Sequence, residues 1–235
     1  MKVYLNFYQL FFQDRCSHPQ ARSGHRIIAN NQYIYCFGGF NPSISPNDPY
    51  YSTDPVWRST KPLFQELWRF SKLTQTWCRL PIHGTIPREL VSHCIAWWDQ
   101  HTILVYGGSG FPFGATSSNS LYTCDLRTNL WTRVYHCIND INFDDTCIPM
   151  SGFGQAMTVD KKKNCFYICG GTNGNDYNMD VHRFDMKTKQ WVRLAFTPET
   201  VHARYRHEMA LWNNRLYIIG GGTSTARFST EFVSV

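Results

Sequence analysis

Three stretches of this chain align without a gap: ELWRFSKLTQTWCRL (66–80), SLYTCDLRTNLWTRV (120–134) and DVHRFDMKTKQWVRL (180–194). Each puts a threonine three residues before a tryptophan (Thr74, Thr128 and Thr188 before Trp77, Trp131 and Trp191) and an arginine two after it (Arg79, Arg133, Arg193). A glycine pair precedes each stretch, at Gly38-Gly39, Gly107-Gly108 and Gly170-Gly171, and a fourth pair stands at Gly220-Gly221. The residues running into the pairs, YIYCF, TILVY, CFYIC and RLYII, are strongly β-prone. Further upstream, SGHRIIA, SHCIAWW, FGQAMTV and RHEMALW each open one more β segment. The unit is therefore four strands: a before a turn, b ending in Gly-Gly, c with alternating apolar residues, and d beginning at tryptophan. Successive pairs are 69, 63 and 50 residues apart, so the units share one plan and differ in loop length.

Composition points the same way. Of 235 residues, 43% are hydrophobic, 16% aromatic and 17% charged, which allows a sizeable core and excludes disorder by composition. The apolar runs are short, and none reaches the length that spans a membrane. The net charge of +6 is modest, and the one tight basic run, Lys161-Lys162-Lys163, falls between two strands and reads as a solvated turn, so no nucleic-acid or membrane partner is expected. Nine cysteines show no zinc spacing; Cys165 and Cys169 share a strand face but lie roughly 13 Å apart, too far for a disulfide. Reduced thiols, hence the cytosol or nucleus, are expected. The start, Met1-Lys2 and then Val3 to Phe12, superficially resembles a secretory signal, but Asn6 and Gln9 interrupt it and no small-residue cleavage site follows.

Residues 1–20 read as an N-terminal segment, a strand or disordered, and 21–235 as repeats spanning about 21–82, 88–135, 150–195 and 204–235. Three units have all four strands. The fourth has RFSTEFVSV (227–235) as a candidate strand c and no tryptophan strand. An all-β propeller with three complete blades and a partial fourth, left as an open arc, is therefore expected. The rival is a four-bladed ring closed by YLNFYQLF (4–11).

These repeats resemble the kelch family of β-propellers over nearly the whole chain after about residue 20. Loop segments beyond the generic repeat narrow the resemblance to one branch: ARSGHR (21–26), GGFNP (38–42), LFQELWRF (63–70), IPREL (86–90), GGSGFPFG (107–114), GQAM (154–157), RYRHE (204–208) and YIIGGGTS (217–224). The resemblance implies a non-catalytic substrate receptor of a cullin–RING ubiquitin ligase, reading C-terminal ends of target proteins with the central face of its propeller. Attachment to elongin B/C and cullin is implied only for a form carrying an adaptor box, which this sequence does not show. The alternative is a general kelch scaffold with no ligase link.

In such relatives contacts come from the residues just before the strand-a histidine (His25, His93, His207, with Gln155 in the third unit) and just after Gly-Gly. Mapped here, the first position gives Ser23 and Gly24, Leu90 and Val91, Phe153 and Gly154, and Tyr205 and Arg206; the second gives Phe40, Ser109, Thr172, and Thr223 with Ser224. Phe111 and Phe113 are expected to rim the same face. A terminal carboxylate needs cations, and Arg204, Tyr205 and Arg206 form the best cluster. Arg204 stands at the site of Arg22 and Arg88, which points to a structural duty; Arg206 does not recur. The recurring histidines read as structural hydrogen-bonding groups. The chain shows no catalytic motif and no assembled Tyr/His/Cys copper site, so no cofactor is expected. The proline-rich insert from Asn41 to Gln65 reads equally as a partner contact or a solvated excursion.

Overall fold

The structure, a computed structural model, describes residues 18–136, 147–194, 202–223 and 232–234. The first blade is the antiparallel sheet β1 (Arg26–Ala29), β2 (Tyr33–Phe37), β3 (Leu67–Ser71) and β4 (Thr76–Leu80), with helix α1 (Pro55–Thr60) between β2 and β3. A short strand β5 (His83–Gly84) leads to the second blade: β6 (Cys94–Trp97), β7 (Thr102–Tyr106), β8 (Leu121–Asp125) and β9 (Leu130–Tyr135). Strand β5 pairs parallel with β9 and so ties the linker to the second blade's outer edge. The third blade is β10 (Ala156–Asp160), β11 (Cys165–Thr172), β12 (Tyr177–Asp185) and β13 (Trp191–Arg193). The fourth contains β14 (Arg204–Tyr205), β15 (Glu208–Trp212), β16 (Arg215–Ile219), β17 (Gly222–Thr223) and β18 (Phe232–Ser234), in a three-stranded sheet β15-β16-β18 beside the pair β14-β17. Strand β18 lies within 227–235 and takes the strand-c place.

The turn between strands c and d explains the first repeat. Asp125 and Asp185 accept backbone N–H groups of the turn, and Ser71 does the same from its hydroxyl. The residue two before each tryptophan, Gln75, Asn129 or Lys189, then turns through positive φ.

Strand periodicity of two gives each blade two apolar faces, and the cores lie between blades. Tyr35, Phe37 and Leu67 meet Ile103, Val105 and Trp131. The opposite face of the second blade, with Leu104 and Tyr106, meets Phe166, Ile168, Phe184 and Trp191. Cys169, Met179 and Val181 then meet Met209, Leu216 and Ile218. Each tryptophan faces the preceding blade: Trp131 stacks on Phe37 at 4.4 Å, and Trp191 meets Tyr106 edge-on at 5.5 Å. Trp77, at the equivalent place in the first blade, departs from this pattern. It is half-buried, because no blade among the described residues precedes the first one.

The arc is open among the described residues: no strand of the first blade pairs with one of the fourth. Residues 4–11, the candidate closing strand, lie outside the described residues. At the ends of the arc Ile27, Trp212 and Ile219 are 62%, 65% and 49% exposed. Ile219 stands immediately before its glycine pair, where Phe37 and Tyr106 receive the next blade's tryptophan.

The insert is not the solvated excursion that its prolines allowed. Tyr51, Trp57 and Phe64 form their own buried aromatic cluster. Asp54 caps α1 by accepting from Val56 N and Trp57 N, with Pro55 in the first turn. The other oxygen of Asp54 accepts from Arg79 of β4 at 2.6 Å. Arg22 lies 3.7 Å over the Phe64 ring and donates to Glu66, which also accepts from Trp68 Nε1. The insert is thus fastened to the first blade through Asp54–Arg79 and Phe64–Arg22.

Trp131→Ala is expected to cost about 3–5 kcal/mol, as for other fully buried aromatic deletions. Trp77→Ala should cost roughly half of that, because part of its ring is already in water. Urea melts of the two variants check the ranking; equal losses would contradict the assignment of each tryptophan to the preceding blade.

Candidate functional site

The blades are joined at the axis by backbone. Ser92 N donates to Gly24 O at 2.7 Å, Gly154 N to Ser92 O at 2.7 Å, and Arg206 N to Gly154 O at 2.7 Å. The four residues, one per blade, all have positive φ: 66° at Gly24, 54° at Ser92, 71° at Gly154 and 54° at Arg206. Each immediately precedes the strand-a histidine or Gln155. The glycine pairs lock against the same residues. A Cβ on Gly38 would sit 2.8 Å from His93 Cε1 of the next blade, and one on Gly39 would sit 2.9 Å from His25 Cβ of its own.

The histidines are structural groups. His93 Nδ1 bonds Leu90 O at 3.2 Å, and His25 Nδ1 bonds Arg22 O at 3.1 Å. Burial, with smaller effects from neighbouring charge, pushes His93 down to about 3 and His207 down to about 4. Both are neutral and out of reach of any substrate. The buried thiols Cys94, Cys124 and Cys169 are equally inert, burial pushing each up to about 12.

On the face where the b strands emerge, four of the expected residues come together. Phe40 lies 4.7 Å from Phe113 and 6.0 Å from Phe111, and Phe113 lies 6.5 Å from Phe153. These rings form one wall across three blades, with Phe111 and Phe113 each 45% exposed. Between the third and fourth blades, Tyr177 and Tyr205 form a further ring pair, at 5.5 Å. Ser109 and Thr172 are buried and serve their loops: Ser109 Oγ accepts from Gly114 N, and Thr172 Oγ1 accepts from Gly174 N. Ser23 is exposed and bridges to Phe40.

The two arginines separate. Arg204 is fully buried and donates to His202 O and Gly220 O, as Arg22 donates to Gln20 O and Gly38 O. Its guanidinium is spent inside the fold. Arg206 is exposed at the inner mouth; it lies 5.6 Å over the Tyr205 ring and reaches Ser92 Oγ at a long 3.4 Å.

Three register expectations are corrected. Val91 bridges to Ser109 as Ser23 does to Phe40, so the second blade contributes Val91 and Ser92 rather than Leu90 and Val91. Leu90, not Arg88, therefore occupies the place of Arg22 and Arg204; Arg88 is exposed in the linker. In the fourth blade Tyr205 pairs with Gly222 and Arg204 with Thr223, so Gly222 takes the Phe40 place. Ser224 lies outside the described residues. Ser92 was the missed site residue, and a constant offset of one before each histidine marks it.

Comparison with known proteins agrees with this architecture. The description KLHDC2/KLHL20/DRC7 Kelch-repeats domain matches residues 11–221, and the chain belongs to the kelch-repeat family. It is 36% identical over 224 residues to Kelch domain-containing protein 10 of Xenopus laevis, covering 94% of this chain and 50% of that protein. The human protein of that name is 35% identical, over 90% of this chain and 45% of its own length. The chain thus spans about half the length of the curated relatives it matches. The solved structure of YjhT superposes with a TM-score of 0.62 at 16% identity, covering 90% of this chain and 65% of that one, a likeness of fold. Membership of this family makes a protein-interaction module the coarse functional class.

Because the two buried histidines stay neutral while the unfolded chain protonates near 6.5, acid favours unfolding. Stability is complete above pH 6.5 and is lost as pH falls from there toward the folded values, by up to about 1.4 kcal/mol per pH unit for each histidine. Urea midpoints at pH 7.5 and 5.5 should show the drop. His93→Gln, which installs the side chain that the third blade carries at this place, should reduce it.

Proposed function

We propose that the chain is a non-catalytic recognition module that reads the C-terminal end of a partner protein at the mouth of its axis. The observation that carries this is Arg206. Two of its three equivalents, Gly24 and Gly154, are glycines, for which positive φ is free, and the third is the small Ser92, whereas a side chain there costs about 1–2 kcal/mol. A large cation kept at a disfavoured position and exposed, on the face that also carries half-exposed phenylalanines, suits a carboxylate followed by an apolar side chain. Arg204 supports this site from below by fixing the strand that carries Arg206.

The resemblance in the loop segments extends the proposal to the substrate-recognition part of a cullin–RING ubiquitin ligase receptor, acting in the cytosol or nucleus. Elongin B/C and cullin would join through an adaptor box in a longer form. The second reading, a general kelch scaffold, would use the same wall without the carboxylate contact.

Arg206→Ala should weaken a peptide with a free C-terminus by roughly 1.5–3 kcal/mol, the scale of one charge-assisted hydrogen bond. Arg206→Gly should lose the same binding while leaving stability unchanged or raised, because glycine relieves the backbone. Calorimetric titration with free and amidated peptides, paired with urea melts, checks both; equal affinity for the two peptide forms would favour the scaffold reading.

A further inference from the structure

The linker between the first two blades has a cavity on either side, and Ile86 lines both. On one side Val56 of α1, Leu80, Pro81, Ile82 and Ile86 enclose ≈ 350 Å³. The charges at that wall are already engaged, Arg79 with Asp54, Tyr50 and Glu66. Gln65 also lines this cavity, its Nε2 donating to Pro87 O, and most of the remaining surface is hydrocarbon. On the other side a cavity of ≈ 430 Å³ is lined by Arg88, Arg133, His136, Ser118 and Tyr122. Arg88 and Arg133 are exposed, and the Arg133 charge partly offsets the upward push that burial gives the Tyr122 hydroxyl. Glu89 is the one carboxylate among the described lining residues, set against two guanidinium groups.

An apolar cavity and a cationic one that share a wall residue are complementary to two neighbouring side chains on one extended peptide. The apolar cavity has room for a leucine- or phenylalanine-sized group, whose burial supplies affinity. The arginine forks and hydroxyls suit an oxyanion, and arginine binds one with two parallel donors where lysine offers a point charge. Such pairing of an apolar anchor with an acidic or phosphorylated residue is a general way of reading a linear motif.

We propose that these two cavities form a second peptide-binding site, independent of the axial mouth, for an internal partner segment with an apolar residue close to an oxyanion-bearing one. The insert then has a role beyond closing its own core: through Val56 it supplies one wall of the apolar subsite. The cationic half is solvent-accessible, so its contribution falls as salt rises.

The test uses the full chain and fluorescein-labelled octapeptides, acetylated and C-terminally amidated so that the axial mouth has no carboxylate to read. Each carries one leucine and, two residues later, phosphoserine, glutamate or serine. Anisotropy should show the phosphoserine or glutamate peptide binding at least 10-fold tighter than the serine one, and whichever is tighter identifies the oxyanion. Arg88→Gln with Arg133→Gln should abolish that difference, and Val56→Asp should weaken both charged peptides at least 5-fold. Arg206→Ala should change nothing, which separates this site from the axial one. No preference over serine, or full binding by the Arg88/Arg133 double variant with an unchanged melting curve, overturns the proposal.

Discussion

The structure depends on how closely strand b passes two strands a as it leaves the axis. The first glycine of each pair lies against the histidine or glutamine of the next blade, and the second against that of its own. No side chain fits at Gly38 or Gly39, since a Cβ would stand within 3 Å of its neighbours. The same crowding places Gly24, Ser92, Gly154 and Arg206 in positive φ, where their backbones bond from blade to blade. The repeat spacing, the buried neutral histidines and the position of the mouth residues all follow from this one seam.

Given the seam, the rest is packing between sheets that are apolar on both faces. The first two interfaces pair a ring from the earlier blade with a tryptophan from the later one, and both are buried, as with Phe37 and Trp131, whereas the third packs Cys169, Met179 and Val181 on Met209, Leu216 and Ile218. Where no adjoining blade is described, the residue at that place is more exposed. Ile219 and Trp77 are the two unmatched halves. Beside the first blade the insert closes a small core of its own from Tyr51, Trp57 and Phe64, tied to the blade by Arg79 and Arg22.

The mouth collects what the seam leaves free. Residues that follow the glycine pairs and precede the histidines must emerge on one face, because strands a and b are antiparallel and joined at the other end. Their backbones are committed to the seam, so chemistry can vary only in their side chains. That is why Phe40, Phe113 and Phe153 meet although they are far apart in the chain, and why Arg206 stands free while Arg204, two residues earlier, is locked into carbonyl oxygens.

The sequence by itself determined the four-strand unit and its repetition, because glycine pairs and tryptophans are demanded by local backbone crowding and by period-two burial, while the face expected to carry the mouth was implied by the resemblance to kelch relatives. It also marked Arg206 as the arginine without a counterpart. It could not place Ser92 or Gly222, since one extra residue before His93 and a third glycine after Gly221 leave the register ambiguous until strands pair. Nor could it show that a proline-rich insert has a core of its own, because Tyr51, Trp57 and Phe64 have no periodicity that links them. Which side chains meet across 100 residues, and which tryptophan lacks a neighbour, was decided only by the stacking of blades, a long-range packing that no local pattern encodes.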